Sequence, residues 1–144
     1  GVIVAGWVGD SRAYWLPDAG TATQLTTDHS WASGQIALGV PREVAEAAPE
    51  AHAITRWLGA DAPDPVPELT SSTIDGPGWL LVCSDGLWNY CSTAGALRDL
   101  IAGIVAEHGD EPATVAGRLV TFANDQGGMD NVTAALARLT PTPP

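Results

Sequence analysis

Asp10, Asp85 and Asp130 are the residues best placed to do chemistry in this chain. Each lies next to, or two positions from, a glycine where an apolar run meets a turn. A glycine there lets other groups approach closely. A cluster of bare carboxylates is costly, so three of them brought together would have to protonate, spread apart or hold a cation. Hard divalent ions that prefer oxygen ligands, Mg²⁺ or Mn²⁺, suit such a set. Zinc does not, because neither histidine nor cysteine stands in these turns. Aspartate and glycine are also what turns are made of, so three solvated turns read equally well from the pattern alone.

The elements that must carry these residues can be read from the apolar runs. Leu80–Cys83 is short, apolar and bounded by Asp75-Gly76-Pro77-Gly78, the signature of a strand buried on both faces. It ends in Ser84-Asp85-Gly86, where Gly86 is expected to turn the chain sharply. Gly1–Val8 reads as a second buried strand, leading through Gly9-Asp10-Ser11 into Arg12–Leu16. The pair is expected to form a hairpin, and Thr21–Leu25 a third strand of a meander. Short helices are expected over 33–38 and 42–48, a proline-rich loop over 60–67 and a strand over 69–74. Ala94, Leu97, Leu100, Ile101, Ile104 and Val105 recur at helical spacing, with Ser92 or Thr93 as the cap. Asp110-Glu111-Pro112 opens a second helix, and Val132–Leu139 is the last strand. Strands and helices segregate along the chain, which points to α+β with antiparallel sheets. If the last strand runs antiparallel to the central one, and the first runs parallel to it, all three aspartates share one end of the sheet.

The composition bounds the partners. A chain of 144 residues, 45% hydrophobic and 16% charged, is about one globular domain. Six Lys+Arg against 17 Asp+Glu give a net charge of −11, which disfavours nucleic acid and makes a cation necessary for an anionic substrate. Two cysteines, Cys83 and Cys91, form no metal signature or disulfide framework. The longest apolar run falls far short of the ~20 residues of a membrane span, so no membrane contact and a cytoplasmic location are expected. The chain opens inside a hydrophobic run without methionine, as a fragment lacking its preceding segment would.

Gly9-Asp10-Ser11-Arg12, Leu25-Thr26-Thr27-Asp28-His29, Ile54-Thr55-Arg56-Trp57-Leu58-Gly59, Ser84-Asp85-Gly86-Leu87-Trp88 and Asp130-Asn131-Val132-Thr133 occur in that order. Together they resemble the motifs of the metal-dependent protein phosphatases (the PPM or PP2C-type family). The resemblance implies a four-layer α-β-β-α sandwich of two antiparallel sheets, incomplete here because N-terminal strands are missing. Residues 1–139 would be the C-terminal portion of the phosphatase domain and 140–144 a proline-rich tail or linker start. It implies that Asp85 and Asp130 bind one metal of a dinuclear Mg²⁺/Mn²⁺ centre, with Asp10 helping Asp85 hold a weaker third ion. No catalytic residue is expected beyond these metal ligands. A bridging water would hydrolyse phosphoserine and phosphothreonine in phosphoprotein substrates, themselves targets of a Ser/Thr kinase.

Two departures from the family pattern matter. Asn89 stands where many members carry another aspartate, and the N-terminal block that supplies further metal ligands is not in this chain. The segment alone is therefore expected to be inactive, and a pseudophosphatase that keeps the fold to bind a partner is the alternative. Among other residues, His29 is expected to be structural, Arg12 to pair with a carboxylate, and Arg56 to pack against Trp57 or the flap. His52 and His108 are expected at the surface, and the six tryptophans as core and interlayer anchors.

Overall fold

A computed structural model describes residues 1–140; beyond Thr140 the expected proline-rich tail lies outside the described residues. The order is β1 (Val2–Trp7), β2 (Arg12–Pro17), β3 (Thr23–Gln24), α1 (Trp31–Ala37), α2 (Arg42–Glu46), β4 (Glu68–Thr73), β5 (Gly78–Cys83), α3 (Asp85–Trp88), α4 (Ala94–His108), α5 (Pro112–Asp125) and β6 (Ala134–Leu139). The strands form two antiparallel sheets, β1-β4 and β3-β2-β5-β6. The α+β class and the antiparallel sheets are as the sequence leads one to expect.

Alternation along β2 and β5 sorts side chains into two layers. Tyr14, Leu16, Trp79, Leu81 and Cys83 face α4 and α5, where they meet Leu97, Ile101, Val115 and Leu119 in the main core. Each such fully buried aliphatic side chain contributes about 1.5–3 kcal/mol. Trp15 and Leu80 point the other way and pack with Ile3, Ile74 and Leu139 between the two sheets. A third, alanine-rich cluster (Ala32, Ala45, Ala51) holds α1 and α2 together. The layers among the described residues are therefore helices, large sheet and small sheet. The outer face of the small sheet is bare, with Val2, Val4 and Leu69 each about two-thirds exposed or more (67, 69 and 71%).

The caps explain where the long helices start. Thr93 Oγ1 accepts from the Ala96 amide at 3.2 Å, and Glu111 accepts from the Thr114 amide at 2.7 Å with Pro112 in the first turn. Each cap satisfies a backbone donor that the helix itself leaves orphaned.

Three local expectations fail. β1 and β2 do not form a hairpin: β1 pairs with β4, whereas β2 pairs with β3 and β5. Ile3 and Trp15 both need the inter-sheet layer, so the strands stack face to face and Gly9-Asp10-Ser11 crosses from one sheet to the other. The third strand shrinks to Thr23–Gln24. Ser84-Asp85-Gly86 is no open turn, because Asp85 begins the one-turn helix α3 and Gly86 lacks a positive φ.

Candidate metal centre

The rim is built at the end of β5. β2 begins at Arg12, directly opposite Cys83, the last residue of β5, so the crossing that carries Asp10 arrives beside the exit that carries Asp85. Asp10 thus reaches this end through β2, not through a first strand running beside β5 in the same sheet. β6 enters opposite the same exit, with Ala134 paired to Cys83. Ser84 stitches these two segments: its amide donates to Thr133 O at 3.1 Å, its hydroxyl to Asn131 O at 3.1 Å, and its Oγ accepts from the Thr133 amide at 3.0 Å.

Gly86 is required by close approach. A Cβ there would lie 2.4 Å from Asn131 O, 2.9 Å from Asn131 C and 3.2 Å from Val132 Cα, all backbone atoms that cannot swing aside. Alanine's helix preference over glycine, worth about 1 kcal/mol, acts in the opposite direction. We expect the clash to win, with Gly86→Ala destabilising by about 1–3 kcal/mol or more. A urea midpoint equal to or above wild type would contradict this packing.

The three aspartates fare differently. Asp10 is partly buried, and its carboxyl is held above the ordinary 3.8, first by burial and then by the charge of Asp85. Asp85 is partly buried at the start of α3. Asp130 is exposed, and its Oδ1 accepts from the neighbouring Asn131 amide at 2.6 Å. Its carboxylate is thus occupied locally, while the Asn131 backbone next to it is the part laid against Gly86 of α3. Among the described residues, no three of His, Cys, Asp and Glu are grouped as a metal site.

The raised pKa of Asp10 has a consequence for stability. Below pH 3.8 the carboxyl is protonated in both folded and unfolded chains and costs nothing. As the pH rises through the window between 3.8 and the higher folded value, the unfolded chain loses its proton first and stability falls. Above that window the whole cost is present. Asp10→Asn should therefore raise the urea midpoint of the metal-free protein at pH 7, by an amount that vanishes near pH 3. A lower midpoint at pH 7 would show that Asp10 is not electrostatically strained.

Beside the aspartates lies an aromatic and cationic cluster. Arg12 donates to Asp28 through Nε to Oδ1 (2.9 Å) and Nη2 to Oδ2 (2.7 Å), and its guanidinium carbon sits 3.7 Å from the centroid of the Trp88 ring. Burial disfavours the Arg12 charge, but hydrogen bonds to Asp28 and Tyr14 more than offset this, so its pKa is raised. Tyr14, pushed up to about 12 mainly by burial, donates from its hydroxyl to Ser92 O at 3.0 Å. The Trp88 indole N–H donates to Asp10 O at 3.0 Å. A groove of about 700 Å³ opens over this cluster, with Asp10, Trp88, Asn89, His52, Ser33 and Arg42 in its lining.

His29 is structural, as expected: Nδ1 accepts from the Gly9 amide at 2.9 Å, its ring stacks on Trp7, and Nε2 lies 3.1 Å from Glu68. Nε2 also lies 3.0 Å from Arg56 Nη1. Arg56 pins the 60–67 loop through Asp64, Val66 O and Glu68. His52 and His108 are exposed. Of the tryptophans, Trp15, Trp79 and Trp88 are buried, whereas Trp57 is 38% exposed and hydrogen-bonds Asp61. Sequence reading placed Trp88 among the core anchors and missed its hydrogen bond to Asp10; its place in the Ser84-to-Trp88 motif was the available signal.

No family model matches the chain. It is 35% identical over 118 residues to the protein phosphatase PhpP of Streptococcus pneumoniae, covering 81% of this chain and 45% of PhpP. It superposes on the PPM Ser-Thr phosphatase MsPP of Mycobacterium smegmatis, solved with cacodylate, with a TM-score of 0.69 and 34% identity. This is the PPM phosphatase fold, in part. The likeness covers 92% of this chain and 54% of MsPP, so the chain spans about half the length of these PPM relatives. The catalytic domain of the PPM-type relative PstP, solved with two manganese ions, is 29% identical with a TM-score of 0.68, covering 96% of this chain and 54% of PstP's.

The donors at the rim fit a hard cation in kind. They are carboxylates with backbone carbonyls nearby, and the unfavourable charge of Asp85 on Asp10 is what a cation would relieve. In number they supply part of a centre, with Asp10 and Asp85 in electrostatic contact and Asp130 on the adjoining segment.

Proposed function

We propose that residues 1–139 form the C-terminal part of a PPM-type Ser/Thr phosphatase domain. The whole protein would hydrolyse phosphoserine and phosphothreonine in proteins, themselves products of a Ser/Thr kinase. The observation that carries this reading is the meeting of the Asp10 crossing, the Asp85 exit and the Asp130-Asn131 entry at one rim, in a chain similar to PPM phosphatases. Asp85 and Asp130 would hold one Mg²⁺ or Mn²⁺ of a dinuclear pair, and Asp10 would help Asp85 hold a weaker third. When bound, such ions supply an activated water and stabilise charge on the phosphoryl oxygens. The chain's own part is to present carboxylates on a rigid frame: Ser84 locks the two segments together, and Gly86 admits the Asn131 backbone. Asp130 would turn from the Asn131 amide toward the rim, at the cost of one exposed hydrogen bond.

The remaining ligands and the phosphate grip would come from residues outside these 144, so this chain alone would be inactive. No helix among the described residues is long and apolar enough to cross a membrane, and a cytoplasmic place goes with this reading. The second reading, a partner-binding module, is favoured by Asn89 and by the lack of a grouped three-ligand set among the described residues.

The test is hydrolysis of a phosphothreonine peptide by this chain and by the product of its full reading frame, each with Mn²⁺ and with EDTA. Turnover by the full product alone, abolished by EDTA, is expected. No turnover in either would favour the binding module, and EDTA-insensitive turnover would refute the metal centre.

A further inference from the structure

We propose that Trp88, clamped by Arg12, is a positioning residue that fixes Asp10 opposite Asp85 so that both carboxylates can serve one cation. This rests on the metal-centre reading above. Asp10 lies in the crossing between the sheets, directly after Gly9 with its φ of +107°. Among the described residues, the one hydrogen bond tying Asp10 to another element is that from the Trp88 indole to its carbonyl, at 3.0 Å. Trp88 is the last residue of α3, and Asp85 is the first. A single four-residue element therefore presents one acid and grips the backbone of the other.

The indole is in turn held from both sides. It is buried in the main core, and the Arg12 guanidinium lies 3.7 Å from the ring centroid. Such stacking is attractive because the ring face is electron-rich. Arg12 cannot swing away, since Asp28 engages it with two parallel hydrogen bonds. A partner one shell out from a ligand commonly changes metal affinity by about 10–100-fold.

The experiment is a double-mutant cycle on the 144-residue chain, with Mn²⁺ binding read from the EPR signal of free Mn²⁺ and stability from urea midpoints. Trp88→Phe keeps a buried ring under Arg12 and deletes the N–H donor. It should weaken Mn²⁺ binding about tenfold when Asp10 is present. In an Asp10→Asn background it should change binding no further, while its effect on the urea midpoint is the same in both. A purely structural role would instead move stability and leave binding, or weaken binding equally in both backgrounds; either result overturns the positioning role and leaves the metal-centre reading standing. If wild type binds no Mn²⁺, Asp10 and Asp85 do not hold a cation without the rest of the centre and the positioning role falls, whereas the metal-centre reading is decided by the phosphopeptide assay on the full product. Binding that Asp10→Asn leaves intact removes Asp10 from the site, and the role of Trp88 with it.

Discussion

Asp85→Ala should lower Mn²⁺-dependent phosphopeptide hydrolysis by the full-length protein by roughly 10²–10³, the equivalent of several kcal/mol of lost charge stabilisation. Asp85 is the carboxylate the whole frame serves: β5 delivers it, Ser84 ties its neighbourhood to the entry of β6, and α3 opens with it. The side chain is only partly buried and makes none of the core contacts, so its removal should leave the fold intact. A urea midpoint no lower than that of wild type alongside lost turnover would separate chemistry from folding. Turnover within about twofold of wild type would mean that the hydrolysis does not run through this rim.

Asp28→Ala should destabilise the chain by about 3–5 kcal/mol, the usual cost of removing one partner from a buried ion pair. The Arg12 and Asp28 side chains are only 15% and 9% exposed, so solvent screens the pair little. Deleting Asp28 leaves a guanidinium half-held by Tyr14 and stacked on Trp88 with no counter-charge. For a domain whose whole stability is about 5–15 kcal/mol, that is a large part. The attribution has an internal check: Arg12→Met added to Asp28→Ala removes the orphaned charge and should recover part of the loss. Urea unfolding with an unchanged slope would report both, and a double variant less stable than Asp28→Ala would contradict it.

Much of this frame was legible in the sequence because it rests on periodicity and punctuation. The apolar run before Asp85, the Pro112 start of α5 and the spacing of Leu97 and Ile101 each have one physical reading, and each element is present. What was not legible was which strands pair. Gly9-Asp10-Ser11 looks like a hairpin turn because local chemistry does not distinguish a hairpin from a crossing. The choice was made by Ile3 and Trp15, which share an inter-sheet layer that no single segment reveals. The same limit hid α3 and the true need for Gly86, set by the Asn131 backbone some 45 residues further along.

The site followed the same division. The three aspartates could be singled out from their positions at run ends, whereas the support behind them could not. Trp88 and Asp28 act on Asp10 through a hydrogen bond and a stacked arginine drawn from separate parts of the chain. Motif order put these residues on one page; only the fold puts them in contact.

The most direct measurement is anomalous diffraction from crystals of the chain soaked in Mn²⁺. The expected result is a peak at ligand distance, roughly 2.1 Å, from carboxylate oxygens of both Asp85 and Asp130, with Asp130 turned away from the Asn131 amide. A Mn²⁺ peak that reaches neither, or crystals with no peak at the rim while Asp130 keeps its bond to Asn131, would contradict the metal centre.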